Sequence, residues 1–325
     1  MGFKYAALTV LALALAPAPV LPQKPAEELP APIKVDVNVV SILASVRDRR
    51  GALINTLAKD DFTVLEDGKP QTIKYFSRET DLPLTLGLLV DVSRSQRNLL
   101  EIERRAAYQF FSQVLRKKDM AFLISFGSEA ELLQDFTNSA RLLDAGLDRL
   151  RINAPVSGIH PGPVPTADTP RGTVLYDAVY LGATDRLARE VGRKALVVIT
   201  DGVDQGSRLT REKAIEAAQK SDAVIYAINY SDPSAYGGWY APSDAALKKM
   251  AEETGGRVFK VDRKHSLDDV FRELQDELRS QYAIGYTPEN SARDGSFRRV
   301  EVKLRDKNLK VQARTGYYAT TPEAE

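Results

Sequence analysis

Cysteine is absent from the 325-residue chain, and histidine occurs only twice. The absence of cysteine excludes disulfides, thiolate metal ligands, cysteine nucleophiles and a lipid-modified N-terminal cysteine. The net charge is close to zero as well, because 45 basic residues are balanced by 44 acidic ones. Neither basic nor acidic residues form a long run. A chain without a basic stretch shows no signal for nucleic-acid binding, and we expect no nucleic-acid partner.

Long hydrophobic runs are missing outside the first residues. The opening stretch, MGFKYAALTVLALALAPAPV, has one lysine and then an apolar run that is too short to span a bilayer comfortably. Small residues and prolines follow, so we predict a secretory signal peptide over residues 1–23, with a retained N-terminal anchor as the alternative. Residues 24–32 are expected to form an extended proline-rich linker. We therefore expect a secreted, periplasmic or cell-envelope protein with no membrane span after signal removal.

Apolar residues make up 43% of the sequence and charged residues 27%, which is typical of a folded globular protein. Three segments differ in their hydrophobic pattern. Residues 33–80 alternate apolar and polar residues as β-strands do, with a hairpin signal at Asp67-Gly68. Residues 84–282 alternate near-continuous apolar strands with amphipathic helices, and residues 283–320 return to the β pattern.

The alternation of strands and helices predicts an α/β domain over residues 84–282. We expect a Rossmann-like fold in which a mostly parallel sheet has helices on both faces. The segments 33–80 and 283–320 each have one apolar face and are each too short to enclose a core. We therefore predict that they pack together as a small β domain beside the α/β domain.

The first predicted helix lies in the stretch RNLLEIERRAAYQFFSQVLRK. Its apolar residues recur at steps of three and four, which places them on one face of a helix. This predicted stripe consists of Leu99, Ile102, Ala106, Phe110 and Val114. The last predicted helix, SLDDVFRELQDELRSQY, has a similar stripe and leads into the second β segment without a flexible linker.

Short side chains that carry oxygen follow the buried strands. Asp91, Ser93 and Ser95 follow one strand, Asp201 follows another, and Thr173 begins a helix after a long loop. Because open parallel sheets bind ligands beyond the carboxyl ends of their strands, these five side chains can converge there. Taken singly, DVSRS could be a turn with an N-cap serine, and TDG a turn at a strand end. Together they predict a site for a hard metal ion, which prefers oxygen ligands.

The stretches DVSRS and ITDG, together with the threonine of RGTVLYDA, resemble the metal-ion-dependent adhesion site of von Willebrand factor type A (vWA) domains. The resemblance covers residues 84–282, and the flanking segments resemble a bacterial secreted group of vWA-related proteins. It implies a bound Mg²⁺, with Mn²⁺ or Ca²⁺ as alternatives, and a free coordination position for an Asp or Glu of a partner protein. The ligands it implies are the hydroxyl groups of Ser93, Ser95 and Thr173 and, directly or through water, the carboxylates of Asp91 and Asp201.

Two loops are expected to border this site because they leave the same edge of the sheet. Residues 151–172 are rich in proline and glycine and are too long for a simple connection. Residues 230–242 combine glycines with aromatic side chains, which suit a binding surface. Alternatively, these are ordinary surface residues, and the tryptophan folds back onto the domain. The predicted rim consists of Arg94, His160, Tyr236, Trp239 and Tyr240.

A metal site could also serve a hydrolase, in which the ion polarises a substrate or activates water. Such an enzyme needs a positioned base, and the two histidines, His160 and His265, lie in no catalytic motif. Gly-x-Ser-x-Gly, P-loop and His-Glu-x-x-His sequences are absent. We therefore predict a non-catalytic, extracytoplasmic module that binds a protein partner in a metal-dependent way, for adhesion or assembly. A metal-dependent hydrolase and a structural envelope protein with a vestigial metal site are the alternatives.

Overall fold

Strands dominate both ends of the chain, and strands and helices alternate through its middle. The computed structural model describes residues 39–79, 82–153, 172–236 and 243–320, so the predicted signal peptide and linker lie outside it. The strands are β1 Val40–Arg47, β2 Phe62–Glu66, β3 Lys69–Gln71, β4 Ile73–Glu79, β5 Leu84–Asp91, β6 Met120–Phe126, β7 Ala130–Thr137, β8 Arg193–Thr200, β9 Ala223–Asn229, β10 Val258–Lys260, β11 Gln281–Tyr286, β12 Phe297–Leu304, β13 Lys310–Ala313 and β14 Gly316–Tyr318.

The helices are α1 Leu100–Val114, α2 Ala140–Leu147, α3 Leu175–Leu181, α4 Arg211–Lys220, α5 Ala245–Thr254 and α6 Leu267–Arg279. A π-helical stretch, Gly182–Leu187, continues α3, and short 3-10 turns cover Lys59–Asp61, Arg94–Gln96 and Pro233–Tyr236. Within the described ranges, no helix is both long enough and apolar enough to cross a membrane.

The central sheet has six strands in the order β10-β9-β8-β5-β6-β7, and they run parallel except for β7. β5 and β8 lie side by side in its middle, and every residue of both strands is buried. Strands covered on both faces must be apolar almost throughout, which explains their sequences.

Helices cover both faces of this sheet and form two separate cores. On one face, α1, α2 and α6 pack against alternate residues of β5, such as Leu86 and Leu88. On the other face, α3, α4 and α5 cover Leu89 together with residues of β6 and β8. The predicted α/β fold class is confirmed. Thr210 caps the start of α4, because its side chain accepts a hydrogen bond from the backbone N–H of Lys213.

Strands from both ends of the chain form two antiparallel sheets. One has the order β13-β1-β11-β4 and the other β14-β12-β2-β3. Their side chains, among them Ile42, Val64 and Val302, form a third hydrophobic core. Because β1 to β4 precede the α/β portion and β11 to β14 follow it, neither end of the chain completes a sheet alone. The predicted β domain made from the two flanks is confirmed.

A tight turn joins β2 to β3. Asp67 and Gly68 both have positive φ angles, 48° and 82°, and Glu66 pairs with Lys69 across the turn. Two-residue hairpin loops favour this conformation, because its twist matches that of the flanking strands. Glycine adopts it without strain, and aspartate does so more readily than most residues. The Asp67-Gly68 dipeptide therefore forms the hairpin that the sequence predicts.

One residue of the predicted stripe does not lie on the buried face of α1. Ile102 is 45% exposed, whereas the neighbouring Glu103 is fully buried. The prediction was wrong because a search for apolar periodicity selects the isoleucine and passes over a carboxylate. The inward-facing residues of the helix are Leu100, Glu103, Ala106, Ala107, Phe110, Phe111 and Val114.

Helix α6 is attached to both parts of the molecule by a buried carboxylate. Glu277 is fully buried, and its Oε2 accepts hydrogen bonds from Nη2 of Arg47 on β1 (2.6 Å) and from Nε of Arg257 (2.7 Å). Ser280 alone separates α6 from β11. The end of this helix is therefore held between the β domain and the α/β portion.

We predict that Glu277→Ala lowers the free energy of unfolding by about 3–5 kcal/mol, because it leaves two guanidinium groups without their buried partner. Chemical denaturation followed by circular dichroism measures this change. Lys303→Ala is the control, since its ion pair with Glu301 is about half exposed and should contribute no more than about 1 kcal/mol. Equal losses in the two variants would contradict the role assigned to Glu277.

Candidate metal centre

The candidate residues lie where the two central strands end. β5 ends at Asp91, and Asp201 directly follows β8, its parallel neighbour. The chain leaves β5 for α1 on one face of the sheet and reaches β8 from α3 on the other face. A crevice therefore opens at the carboxyl ends of β5 and β8, where sheets of this kind bind ligands.

Hydroxyl and carboxylate oxygens form a hydrogen-bonded chain in this crevice. The hydroxyl oxygens of Ser93 and Ser95 are 3.0 Å apart, and the Ser95 hydroxyl donates to Oδ2 of Asp201 at 2.6 Å. Ser95 and Asp201 are 106 residues apart in the sequence, so this bond joins two loops that only the sheet brings together. The structure thus places three of the predicted residues in direct contact.

Asp91 is fully buried beside this chain and is held by two donors. The Thr200 hydroxyl donates to its Oδ2 at 2.6 Å, and the backbone N–H of Ser93 donates to its Oδ1 at 2.9 Å. Burial, and then the negative charge of Asp201, raises the pKa of Asp91 to about 7, although the hydrogen bonds act in the opposite direction. The negative charges of Asp91 and Asp201, held near one another, favour the approach of a cation.

Thr173, the fifth predicted residue, lies on a third chain segment at the same edge. It is buried, and its carbonyl oxygen accepts hydrogen bonds from the backbone N–H groups of Gln205 (3.0 Å) and Gly206 (3.1 Å), in the loop after β8. The next residue, Val174, donates its N–H to the carbonyl oxygen of Gly127 after β6 at 2.9 Å. Thr173 is therefore positioned between the loops that follow β6 and β8.

The loop after β8 is bonded to the start of α3. Ser207 Oγ accepts hydrogen bonds from the backbone N–H groups of Tyr176 (3.0 Å) and Asp177 (3.2 Å) and donates to Oδ1 of Asp204 at 2.5 Å. The Asp177 carboxylate in turn accepts from the backbone N–H groups of residues 208–209. These bonds satisfy donors that a helix start leaves free, and they fix the segment that carries the threonine.

Two residues that hold the site are missing from the predicted set. Thr200 positions Asp91, and Ser207 joins the loop after β8 to α3. Thr200 follows an apolar run over residues 195–199 and directly precedes Asp201, which was a usable signal for the first. No spacing in the sequence marks Ser207, because the backbone groups of α3 that it binds lie about 30 residues away.

Both predicted rim loops begin beside the site. Asn153 donates its backbone N–H to the carbonyl oxygen of Val92 at 2.8 Å, which places the start of the 151–172 loop next to the site. In the second loop, Tyr230 accepts a hydrogen bond through its carbonyl oxygen from Nε2 of Gln96 at 3.2 Å. The 3-10 turn of the site thus packs against the beginning of the 230–242 loop.

The rim residues themselves stay a prediction. Arg94 is exposed in the 3-10 turn between the two serines of the site, and Tyr236 closes the turn Pro233–Tyr236. His160, Trp239 and Tyr240 lie outside the described residues.

The chemistry of the site fits a hard divalent cation. The five side chains offer only carboxylate and hydroxyl oxygens, which Mg²⁺, Mn²⁺ and Ca²⁺ prefer over nitrogen or sulfur. Among the described residues, no group of three or more His, Cys, Asp or Glu side chains is arranged to hold a metal. The candidate set instead combines two carboxylates with three hydroxyl groups. Burial, and then the charge of Asp201, raises the pKa of Asp91, and a cation would offset this cost of ionising it.

The sequence profile of the von Willebrand factor type A domain matches residues 86–273. The match covers more than half of the chain and includes all five predicted metal residues, and the chain belongs to the vWA domain family. Domains of this family commonly mediate protein–protein interactions and often bind a divalent metal at a metal-ion-dependent adhesion site.

Individual relatives are distant. An uncharacterized protein of Borreliella burgdorferi is 21% identical over 232 residues, which cover 67% of this chain and only 59% of that protein. The structure of the conserved hypothetical protein BatB from Bacteroides thetaiotaomicron is 16% identical, covering 60% of this chain and 97% of BatB, with a TM-score of 0.44. Proximal thread matrix protein 1 from the mussel byssus, with a zinc-occupied MIDAS motif, is 12% identical, covering 66% and 50%, with a TM-score of 0.45. The family assignment rests on the profile match.

We predict that Thr200→Val lowers the free energy of unfolding of the metal-free protein by about 1–3 kcal/mol, because the buried Asp91 carboxylate loses one of its two hydrogen-bond donors at nearly constant side-chain volume. Urea denaturation in the presence of EDTA measures the effect. Thr200→Ser keeps the hydroxyl group and should retain most of the stability. If the valine variant were as stable as the wild type, the bond to Asp91 would have no structural role.

Proposed function

We propose that this protein is a metal-dependent protein-binding module that acts outside the cytoplasm, in adhesion or assembly. The observation that carries the proposal is the hydrogen-bonded chain of Ser93, Ser95 and Asp201 at the ends of β5 and β8, beside the buried Asp91. Oxygen donors from separate loops meet there, at the edge of the sheet where ligands bind. The extracytoplasmic location rests on the N-terminal sequence pattern.

Mg²⁺ is the cation that we propose for the site, with Mn²⁺ and Ca²⁺ as alternatives. Neutral hydroxyl groups leave much of the charge of a divalent ion uncompensated, so the bound ion would supply a positive centre that attracts a further anionic oxygen. The burial of Asp91 and Asp201 excludes water from their carboxylates and strengthens this electrostatic effect. The residues that would hold the ion are Asp91, Ser93, Ser95, Thr173 and Asp201.

A protein that presents an Asp or Glu side chain is the partner that best suits such a centre. A carboxylate provides the hard oxygen that these ions prefer. Arg94 is exposed next to the site, and its positive charge would increase the rate at which an acidic surface approaches. The loops that begin at Asn153 and Tyr230 would contact the partner around the central carboxylate.

A binding role is favoured over a catalytic one. His265, one of the two histidines, pairs with Glu273 on α6 (Nε2–Oε1 3.0 Å) and is about half exposed. The other, His160, lies outside the described residues. The hydroxyl groups of the site are engaged with one another and with carboxylates, which is how metal-holding side chains are positioned in advance.

We expect the full-length protein to bind Mg²⁺ or Mn²⁺ in isothermal titration calorimetry, and to retain envelope proteins in a pull-down that EDTA abolishes. Asp91→Asn should weaken cation binding by at least about tenfold, because one of two negative charges is lost at constant size. Asp185→Asn, on the exposed surface of the same domain, is the matched control and should bind as the wild type does.

The alternatives lead to different results. A wild-type protein that binds neither cation would support a structural protein with a vestigial site and would contradict our proposal. Cation-dependent hydrolysis of ester or phosphoester substrates that is lost in Asp91→Asn would support the hydrolase.

A further inference from the structure

An unpartnered carboxylate lies in the core close to the candidate metal centre. Glu103 is fully buried, and neither its Oε1 nor its Oε2 has a hydrogen-bond partner among the residues that the structure describes. It belongs to the inward-facing stripe of α1, between Leu100 and Ala107, and so projects into the protein. Buried polar groups are almost always hydrogen-bonded, so a carboxylate with two free oxygens requires an explanation.

The charges that act on Glu103 come from the metal centre. Burial, and then the negative charges of Asp91 and Asp201, raise the pKa of the Glu103 carboxyl well above its usual range. Burial, and then the charge of Glu103, likewise raises the pKa of Tyr230, whose backbone accepts the hydrogen bond from Gln96. Leu100 and Ala107, which flank Glu103 on the buried face of α1, lie in the same core cluster as Val90 and Val92, the residues on either side of Asp91. Glu103 is therefore on the side of α1 that packs against the end of β5.

Its surroundings in the described part of the chain do not neutralise this carboxylate. Gln96 is fully buried nearby in the sequence, and its Oε1 likewise has no donor. Arg104, the next residue on α1, directs its guanidinium group to carbonyl oxygens in and after α2 and to Glu101. The interior beside the site thus contains several acceptor oxygens and no paired cation.

We propose that Glu103 is a third carboxylate of the metal centre, which strengthens the binding of a divalent cation at Asp91 and Asp201 by adding negative charge from inside the fold. An ionised carboxylate without a partner is costly in the interior, and a nearby cation offsets that cost. The inference rests on the proposed function, because it requires the site to bind a cation.

Glu103 would act through space and not as a direct ligand. In the described residues, no three acidic side chains are arranged around one metal position, so Glu103 is not placed to share an ion with Asp91 and Asp201. In the interior, electrostatic interactions between charges extend well beyond contact distance. Without a cation, burial and the charges of Asp91 and Asp201 favour the protonated form of Glu103, and the cost of protonating it at neutral pH destabilises the fold. A bound cation favours the ionised form and offsets this cost.

The test compares Glu103→Gln with wild type in the full-length protein, using MgCl₂ and MnCl₂ in calorimetry and thermal unfolding with EDTA or MgCl₂. We expect the variant to bind Mg²⁺ at least about tenfold more weakly, because one charge is removed at constant shape. We also expect its metal-free form to unfold at a higher temperature than that of the wild type, so added MgCl₂ stabilises it less. Glu101→Gln changes an exposed residue of the same helix and should leave both quantities unchanged.

Glu103→Leu is a second variant that suits the apolar face of α1, and it should shift both quantities in the same direction. Unchanged Mg²⁺ affinity in Glu103→Gln, with or without a loss of stability, would overturn the inference and assign Glu103 a purely structural role. If Asp91→Asn abolishes binding while Glu103→Gln does not, the metal site stands and this inference alone fails. If the wild type binds no cation, both fail.

Discussion

The hydrogen bond from Thr200 to Asp91 joins the carboxyl ends of β5 and β8, and the arrangement of the candidate site depends on it. These strands are parallel neighbours, but their connections run over opposite faces of the sheet, so a gap opens between their carboxyl ends. The gap is where Ser95 reaches Asp201 across 106 residues of sequence. Strand order thus creates the crevice, and one buried hydroxyl group sets the orientation of the carboxylate at its base.

The three glutamates that are buried in the described part of the chain differ in their hydrogen-bond partners. Glu277 is paired with two arginines, and Glu66 accepts hydrogen bonds from the hydroxyl groups of Tyr286 and Tyr317. Both therefore stabilise packing between elements that are distant in sequence. Glu103 is the one of the three for which neither oxygen has a partner in the described part of the chain, and its pKa is raised by burial and then by the charges of Asp91 and Asp201. This contrast is the reason to connect Glu103 with the site rather than with the core.

Much of the architecture could be predicted from the sequence, since it depends on local patterns. The five candidate ligands stay a prediction, and the structure brings Ser93, Ser95 and Asp201 together. Apolar runs identify the central strands, and a turn dipeptide such as Asp67-Gly68 identifies a hairpin. Glu103 could not be predicted in this way, because apolar periodicity selects Ile102 one position earlier. Ser207 could not be predicted either, because its role depends on contacts with a helix about 30 residues away. What the patterns do not show is the environment of a polar side chain, which only the tertiary structure determines.

The strands β4 and β11 are hydrogen-bonded neighbours, with Glu79 opposite Gln281. In topological terms, the whole α/β portion is therefore an insertion between two paired strands of the β domain, and the chain leaves and re-enters the β domain at adjacent points. A domain inserted in this manner can be exchanged for another of the same family, or replaced by a short turn, without a change in the strand order of the β domain.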